Sequence, residues 1–257
     1  MKVVILAGGL GTRLAEETTV KPKPMVEIGG MPILWHIMKI YSHYGFNEFV
    51  ICLGYKGEVI KEWFKNYHLR QSDVTFDFLT GATKFHSQTR EPWKVTLVDT
   101  GAQSMTGGRL LRLKELIGNE RFMLTYGDGV GNVNISELVK HHEDSGKLAT
   151  LTSVIPGGRF GVVETDESNS VLAFSEKTDN QKRVNAGFFV FEPQVFNYLK
   201  DGDATVLEQD PLKTLAHEGQ LLSHPHDGFW HPMDTLSDKN KLEGLWSSGE
   251  APWKLWQ

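Results

Sequence analysis

The chain has 257 residues, 40% of them hydrophobic and 23% charged, with a formal net charge of −5 at pH 7. That length buries a sizeable core, and the acidic balance argues against a broad basic face for nucleic acid while leaving room for a local cationic pocket. No run of about 18 apolar residues exists to span a bilayer, and the apolar stretch at 3–7 is too short for a signal peptide, so the expected setting is the cytoplasm with no membrane partner.

Strand-like and helix-like segments alternate through the first half, the pattern of a parallel sheet covered by helices on both faces. Residues 2–7 read as the first strand. Pro32 opens a helix in which Ile33, Leu34, Ile37, Met38 and Tyr41 recur at helical spacing, and Gly45 is placed to end it. Residues 48–53 read as a strand holding the single cysteine, Cys52, which is expected to be a buried, inert thiol. A helix is predicted over 57–66, strands over 74–78 and 95–99, and a helix over 109–117 with Leu110, Leu113, Leu116 and Ile117 apolar. A buried strand over 122–126 follows, then a helix over 135–145. The segments then shorten to strands at 148–154, 161–164, 171–174 and 188–191, which read as a mixed extension of the sheet. The polar stretch from Thr80 to Glu91 is open between a mobile surface loop and a subunit contact. Trp246, Trp253 and Trp256 in the tail are expected to pack on the body or on a neighbouring subunit, because exposed indoles forfeit their apolar burial.

Chemistry concentrates just after the first strand, in Leu6-Ala7-Gly8-Gly9-Leu10-Gly11-Thr12-Arg13-Leu14. The glycines let the backbone turn tightly and present N–H groups to an anion, and Arg13 adds charge at the loop's end. A dinucleotide fingerprint starting at Gly9 wants glycine or alanine where Leu14 stands, and a P-loop starting at Gly8 wants glycine where Arg13 stands and lysine where Leu14 stands. Neither fits. Further on, Lys21-Pro22-Lys23-Pro24-Met25 holds two lysines in a segment that the prolines keep extended, so that an ammonium can be aimed steadily. The histidines His141, His142, His224, His226 and His231 match no regular zinc-ligand spacing.

The glycine-rich loop followed by the Pro-Lys-Pro-Met segment resembles the nucleotidyltransferases that make nucleoside-diphosphate sugars. The resemblance continues through Tyr126-Gly127-Asp128-Gly129-Val130, Phe174-Ser175-Glu176-Lys177, Asn185-Ala186-Gly187-Phe188 and Trp230-His231-Pro232-Met233-Asp234-Thr235. Asp99-Thr100-Gly101 and Thr106-Gly107-Gly108-Arg109-Leu110 are most similar to members that transfer a cytidylyl group. The implied fold is one three-layer, Rossmann-like α/β domain over 1–257 with a mostly parallel mixed sheet and a small β-rich extension for the sugar. Its nucleotide-binding half ends near 130; the rest binds the sugar phosphate and mediates oligomerisation.

The resemblance also implies CTP and glucose 1-phosphate as substrates, CDP-glucose and pyrophosphate as products, and Mg²⁺ held by Asp128 and Asp234. The rivals are the same chemistry with dTTP or UTP, and a catalytically silent regulatory homologue that binds nucleotide sugars. It assigns the nucleotide to Leu6, Ala7, Gly8, Gly9, Leu10, Gly11, Thr12, Arg13, Lys23, Ser104, Thr106, Gly107, Arg109 and Asp128. Arg13 is expected on the leaving β and γ phosphates and Lys23 on the α-phosphate, which makes them the catalytic pair. Lys177 is expected on the sugar phosphate, Glu176 on sugar hydroxyls, and Asn185 and Gly161 around them. Arg109, a donor-only group, would face O2 and N3 of cytosine, against the alternatives of an acidic partner or a phosphate. The family further implies a homo-oligomer, trimer or hexamer, and a place in making CDP-linked sugars for a bacterial surface polysaccharide such as lipopolysaccharide O-antigen.

Overall fold

In the computed structural model the chain is described over residues 1–86, 90–156, 162–165, 171–175 and 182–256. It begins with β1 (Lys2–Leu6), α1 (Ala15–Thr18), β2 (Glu27–Ile28), β3 (Met31–Pro32), α2 (Ile33–His43), β4 (Glu48–Leu53), α3 (Gly57–Lys65) and α4 (Tyr67–Arg70). Next come β5 (Val74–Asp77), β6 (Ala82–Phe85), β7 (Lys94–Asp99), α5 (Thr106–Leu111), α6 (Lys114–Ile117), β8 (Phe122–Tyr126), β9 (Gly129–Gly131) and α7 (Ile135–Ser145). The remainder is β10 (Ala149–Val154), β11 (Val162–Thr165), β12 (Val171–Ser175), β13 (Val184–Phe191), α8 (Asp210–His217), β14 (Leu221–His226), β15 (Trp230–Pro232) and α9 (Leu236–Ser247).

Among the described residues, seven strands form the central sheet in the order β14-β10-β13-β8-β1-β4-β7. Only β13 runs against the others, pairing antiparallel with both β8 and β10. The strand period of two sends alternate residues to opposite faces, and both faces are covered. Val3, Ile5, Phe49, Ile51, Met123 and Phe188 join α2, α3, α7 and the tail in one apolar cluster. Val4, Val50, Cys52, Phe122, Leu124 and Phe189 join α5, α6 and α8 in the other. The three layers predicted from the alternating pattern are therefore present. Cys52 is buried in the second cluster, where burial pushes its thiol up to about 12.

The sheet's topology locates the site. From β1 the chain proceeds outward through β4 to β7, then returns to place β8 on the other side of β1; β10 lies farther out on that side, β13 comes back to fill the place between β8 and β10, and β14 ends the sheet beside β10. The loops leaving the carboxyl ends of β1 and β8 thus diverge, and a crevice at such a switch point is where open α/β sheets receive ligands.

Several elements differ from the predicted ones for local reasons. The helix predicted over 109–117 starts earlier, at Thr106, and is split into α5 and α6. Gly107 and Gly108, poor helix formers, are held by residues 203–205, whose backbone accepts from Met105 N at 2.8 Å and from Gly108 N at 3.0 Å. β13 begins at Val184 rather than at 188, and a register shift opposite Leu151 and Ser153 hides its early half from a simple alternation. Part of the 80–91 stretch forms β6, which pairs with β5 as a hairpin; all four β6 residues are exposed, so no apolar period marks it. Phe78 and Leu79 at its turn are each 95% exposed.

The tail tryptophans pack on the body, around His36. Trp253 is fully buried, and Trp246 and Trp256 flank the imidazole at ring-centroid distances of 4.7 and 6.2 Å. Trp253 Nε1 donates to His36 Nδ1 at 3.3 Å, and because indole only donates, the imidazole proton lies on Nε2, which donates to Ile28 O at 2.9 Å. Burial lowers the His36 pKa from 6.5 to about 4. The unfolded chain therefore takes up a proton that the folded protein refuses: stability is full above pH 6.5 and is lost as pH falls toward 4. By pH 5 the loss from this one group is about 2 kcal/mol. Urea unfolding at pH 7 and pH 5 should show the wild type losing about that much more than His36→Gln; equal pH dependence in the two proteins would remove His36 as the cause.

Candidate active site

The glycine-rich loop leaves β1 at the switch point. Ala7 N donates to Cys52 O at 3.1 Å and Leu14 N to Gly11 O at 3.0 Å, so the loop is tied at both ends, and buried Leu14 anchors a 3₁₀ turn, Thr12–Leu14, that carries Arg13 outward. Gly11 has φ +64°, and a Cβ there would press on the Thr18 and Lys23 side chains. A hollow of about 370 Å³ opens above the loop. Leu6, Ala7, Gly8, Gly9, Gly11, Thr12, Arg13, Lys23, Ser104, Thr106, Arg109 and Asp128 all line it.

Two residues assigned to the nucleotide do not line that hollow. Leu10 sits on the loop with its side chain exposed. Gly107 is buried against Thr205, where a Cβ would overlap the threonine methyl, so its smallness serves the close approach of the 203–205 segment.

The charged centre is built from four segments. The turn after β8 carries Asp128, and β15 leads into Asp234. β9 and β15 pair antiparallel, Val130 against His231, and Met233 N donates to Asp128 O at 2.8 Å, which brings the two carboxylates to one place. Thr235, not Asp234, is the N-cap of α9, in a capping box with Asp238, so the Asp234 carboxylate is left for the site. Lys23 opens a 3₁₀ turn, Lys23–Met25, so the segment expected to be extended is so at Pro22 but not over 23–25, and the Lys23 Nζ lies 2.6 Å from Asp128 Oδ2 and 2.7 Å from Asp234 Oδ1. Arg13 reaches the second Asp234 oxygen at 2.9 Å. Burial lowers the Lys23 pKa, but the two carboxylates more than offset it and hold the pKa above its ordinary value, so the ammonium stays charged. Lys21 points elsewhere, 3.7 Å from Glu27.

Arg109 is buried, and its guanidinium is taken up by the protein itself. Nη1 donates to Leu53 O, Thr100 Oγ1 and Gly101 O at 3.1, 3.0 and 2.7 Å, and Nη2 to Gly8 O and Ala102 O at 2.9 and 3.4 Å. A Cβ at Gly8 or Gly54 would overlap it. The terminal N–H groups are thus engaged by carbonyls of the β1, β4 and β7 loops, and donating through them to O2 and N3 of cytosine would require bonds to those carbonyls to be released. The geometry makes Arg109 a tie among the loops that form the hollow's floor. Arg109→Lys should therefore lower the unfolding free energy by about 2 kcal/mol or more. It should also reduce kcat/KM for CTP and UTP alike. A loss confined to CTP with stability unchanged would return Arg109 to the base.

A second hollow, of about 270 Å³, adjoins the first and shares Arg13, Tyr126 and Asp128 with it. Asn185 lies in its wall, beside Thr125, Trp230 and Asp234. Trp230 is fixed by its Nε1 donating to Ala186 O at 2.8 Å. Gly161, Glu176 and Lys177, assigned to the sugar phosphate, lie outside the described residues. Tyr126 and Trp230 lie inside the family's motifs, but nothing in a linear motif shows that β8, β13 and β15 converge on one wall. No group of three or more histidine, cysteine, aspartate and glutamate side chains is set to hold a metal among the described residues, and no helix there is long and apolar enough to cross a membrane.

Comparison with known proteins agrees with this geometry. A family model described as nucleotidyl transferase matches residues 2–235. The glucose-1-phosphate cytidylyltransferase of Salmonella typhi is 56% identical over 259 residues, covering 100% of both chains. A Bacillus subtilis (strain 168) protein named "Probable glucose-1-phosphate cytidylyltransferase" is 47% identical over 257 residues, again covering 100% of both. In fold, the chain superposes on a UDP-glucose pyrophosphorylase complexed with UDP-glucose with a TM-score of 0.70, at 15% identity, covering 96% of this chain and 98% of that one. The chain belongs to the nucleotidyl transferase family, and its full-length relatives place it with the glucose-1-phosphate cytidylyltransferases.

Proposed function

We propose that the chain transfers the cytidylyl group of CTP to glucose 1-phosphate, giving CDP-glucose and pyrophosphate. The observation that carries the chemistry is the convergence of Arg13, Lys23, Asp128 and Asp234 where the two hollows meet. The choice of substrates is supported by full-length identity to proteins named for them. A triphosphate in the larger hollow and a sugar phosphate in the smaller would present their reacting groups to one another at this junction.

No protein nucleophile is needed. A phosphate oxygen of glucose 1-phosphate attacks the α-phosphorus of CTP in line; the new P–O bond forms as the bond to the β-phosphate oxygen breaks, and pyrophosphate departs with the electron pair. The residues act by position and charge. Arg13, exposed at the mouth, is suited to the leaving β and γ phosphates. Lys23, buried and charged, is suited to the α-phosphate, where negative charge accumulates. Glu176 and Lys177 keep the sugar-hydroxyl and sugar-phosphate roles that their motif implies.

Asp128 and Asp234 fit a divalent cation. Their oxygens already converge on a single positive charge, the Lys23 ammonium, and two carboxylates completed by waters and substrate phosphate make a typical Mg²⁺ set. Bound there, Mg²⁺ would neutralise phosphate charge and withdraw electrons from the phosphorus. The test is direct: the protein with Mg²⁺, each of CTP, UTP, dTTP, ATP and GTP, and a panel of sugar 1-phosphates, assayed for pyrophosphate. Release with CTP and glucose 1-phosphate is expected at the highest kcat/KM, and no release with any pair would mean a silent nucleotide-sugar-binding protein.

A further inference from the structure

Tyr126 closes β8 and forms part of the wall between the two hollows. Its ring is seated by packing: Phe189 meets it edge-on at 5.8 Å, and Gly187, at φ +81°, lets it lie against β13 where any Cβ would collide with it. Packing positions the ring, and polar contacts position its hydroxyl. Tyr126 Oη donates to Glu208 Oε1 at 2.6 Å and accepts from Asn185 Nδ2 at 3.2 Å. The second Glu208 oxygen accepts from Thr106 Oγ1 at 2.6 Å, and Thr106 Oγ1 in turn accepts from Leu207 N at 2.9 Å.

The direction of every bond in this path is fixed. A carboxylate only accepts and a backbone N–H only donates, so both hydroxyls must give their protons to Glu208. One end of the path, Thr106, lines the larger hollow, and the other, Asn185, lines the smaller. Glu208 lines neither. It stands at the end of the 203–207 segment, which is docked on α5 through Met105 N to Asp203 O, Gly108 N to Thr205 O and the Arg112–Asp203 ion pair. That docking fixes where the carboxylate can be.

We propose that Glu208 is a positioning residue that couples the two hollows, holding the Thr106 wall of one and the Tyr126 wall of both in a single register. It deepens, and rests on, the assignment of the hollows to nucleotide and sugar phosphate. Its loss lets both walls relax together, whereas a residue touching one substrate would affect that substrate alone. Misplacement of a binding wall by about 1 Å costs up to roughly 100-fold in rate.

The experiment is a double-mutant cycle on Glu208→Gln and Tyr126→Phe, with KM for each substrate, kcat and Tm measured for every protein. In Glu208→Gln the new amide would oppose one of the two hydroxyl donors with its own N–H. Each single variant should raise both KM values and lower kcat/KM by about 10- to 100-fold, with Tm within about 3 °C of wild type. The double variant should be no worse than about threefold below the weaker single, because both substitutions cut the same path. Losses that multiply, a KM effect on one substrate only, or a fallen Tm with unchanged kinetic constants would each overturn the proposal. If Glu208→Gln does not fold, Tyr126→Phe, which removes one oxygen, carries the test: unchanged KM values overturn it. Wild type assayed alongside separates this from the functional reading. Should wild type release no pyrophosphate from CTP and glucose 1-phosphate, that reading fails, and the same non-additivity is then sought in calorimetric Kd values for CTP and glucose 1-phosphate.

Discussion

Asp128→Asn and Asp234→Asn should each reduce kcat by about 10²- to 10³-fold or more while the fold persists. Both side chains sit at the ends of a β-ribbon whose backbone pairing does not depend on them, and the α9 cap is made by Thr235 and Asp238. The substitutions therefore leave the scaffold alone and change only charge at the junction. An amide oxygen is a poorer ligand for a hard cation than a carboxylate oxygen, and one negative charge fewer leaves the Mg²⁺ site weaker. The two variants should also bind Mn²⁺ more weakly than wild type, measured by calorimetry or by electron paramagnetic resonance without substrates. A variant with wild-type turnover at limiting Mg²⁺ would take its aspartate out of the metal site.

Much of this site was legible in the sequence because its parts are local. The loop from Leu6 to Leu14 follows a β-branched strand directly, and the prolines around Lys23 fix its backbone, so both could be read without knowing the rest of the chain. The central strands were also legible: Val3 to Ile5 and Phe49 to Leu53 are apolar on both faces, as strands covered by helices must be. What was not legible depends on distant segments meeting. Nothing near Arg109 in the sequence announces that its guanidinium will gather carbonyls from three loops, and the motif suggested a base contact instead. Gly107 looked like part of a ligand loop, but its neighbour is Thr205, almost a hundred residues away. Glu208 belongs to no motif, and it matters only because Thr106 and Tyr126 converge on it. β6 carries no alternation because all of it is exposed.

Lys23→Ala should lower kcat by about 10²- to 10³-fold, with a smaller rise in the KM for CTP. The α-phosphate gains negative charge as the attacking oxygen bonds and the leaving oxygen withdraws, so a cation beside it is worth more in the transition state than in the bound substrate. The structure adds a second effect of opposite sign. Lys23 Nζ occupies the position between Asp128 and Asp234, at 2.6 and 2.7 Å, so a metal ion must compete with the ammonium for those oxygens. Two like-signed ions a few ångströms apart in a partly buried site repel by several kcal/mol before screening. Removing the ammonium relieves that competition. Lys23→Ala should therefore bind Mn²⁺ more tightly than wild type in the absence of nucleotide, while turning over far more slowly in its presence. Lys23→Arg, which keeps the charge on a bulkier head, should restore neither the metal affinity of the alanine variant nor full turnover. Weaker metal binding in Lys23→Ala would show that the lysine organises the two aspartates for the metal and does not compete with it, and a defect in KM alone would confine Lys23 to ground-state binding of the triphosphate.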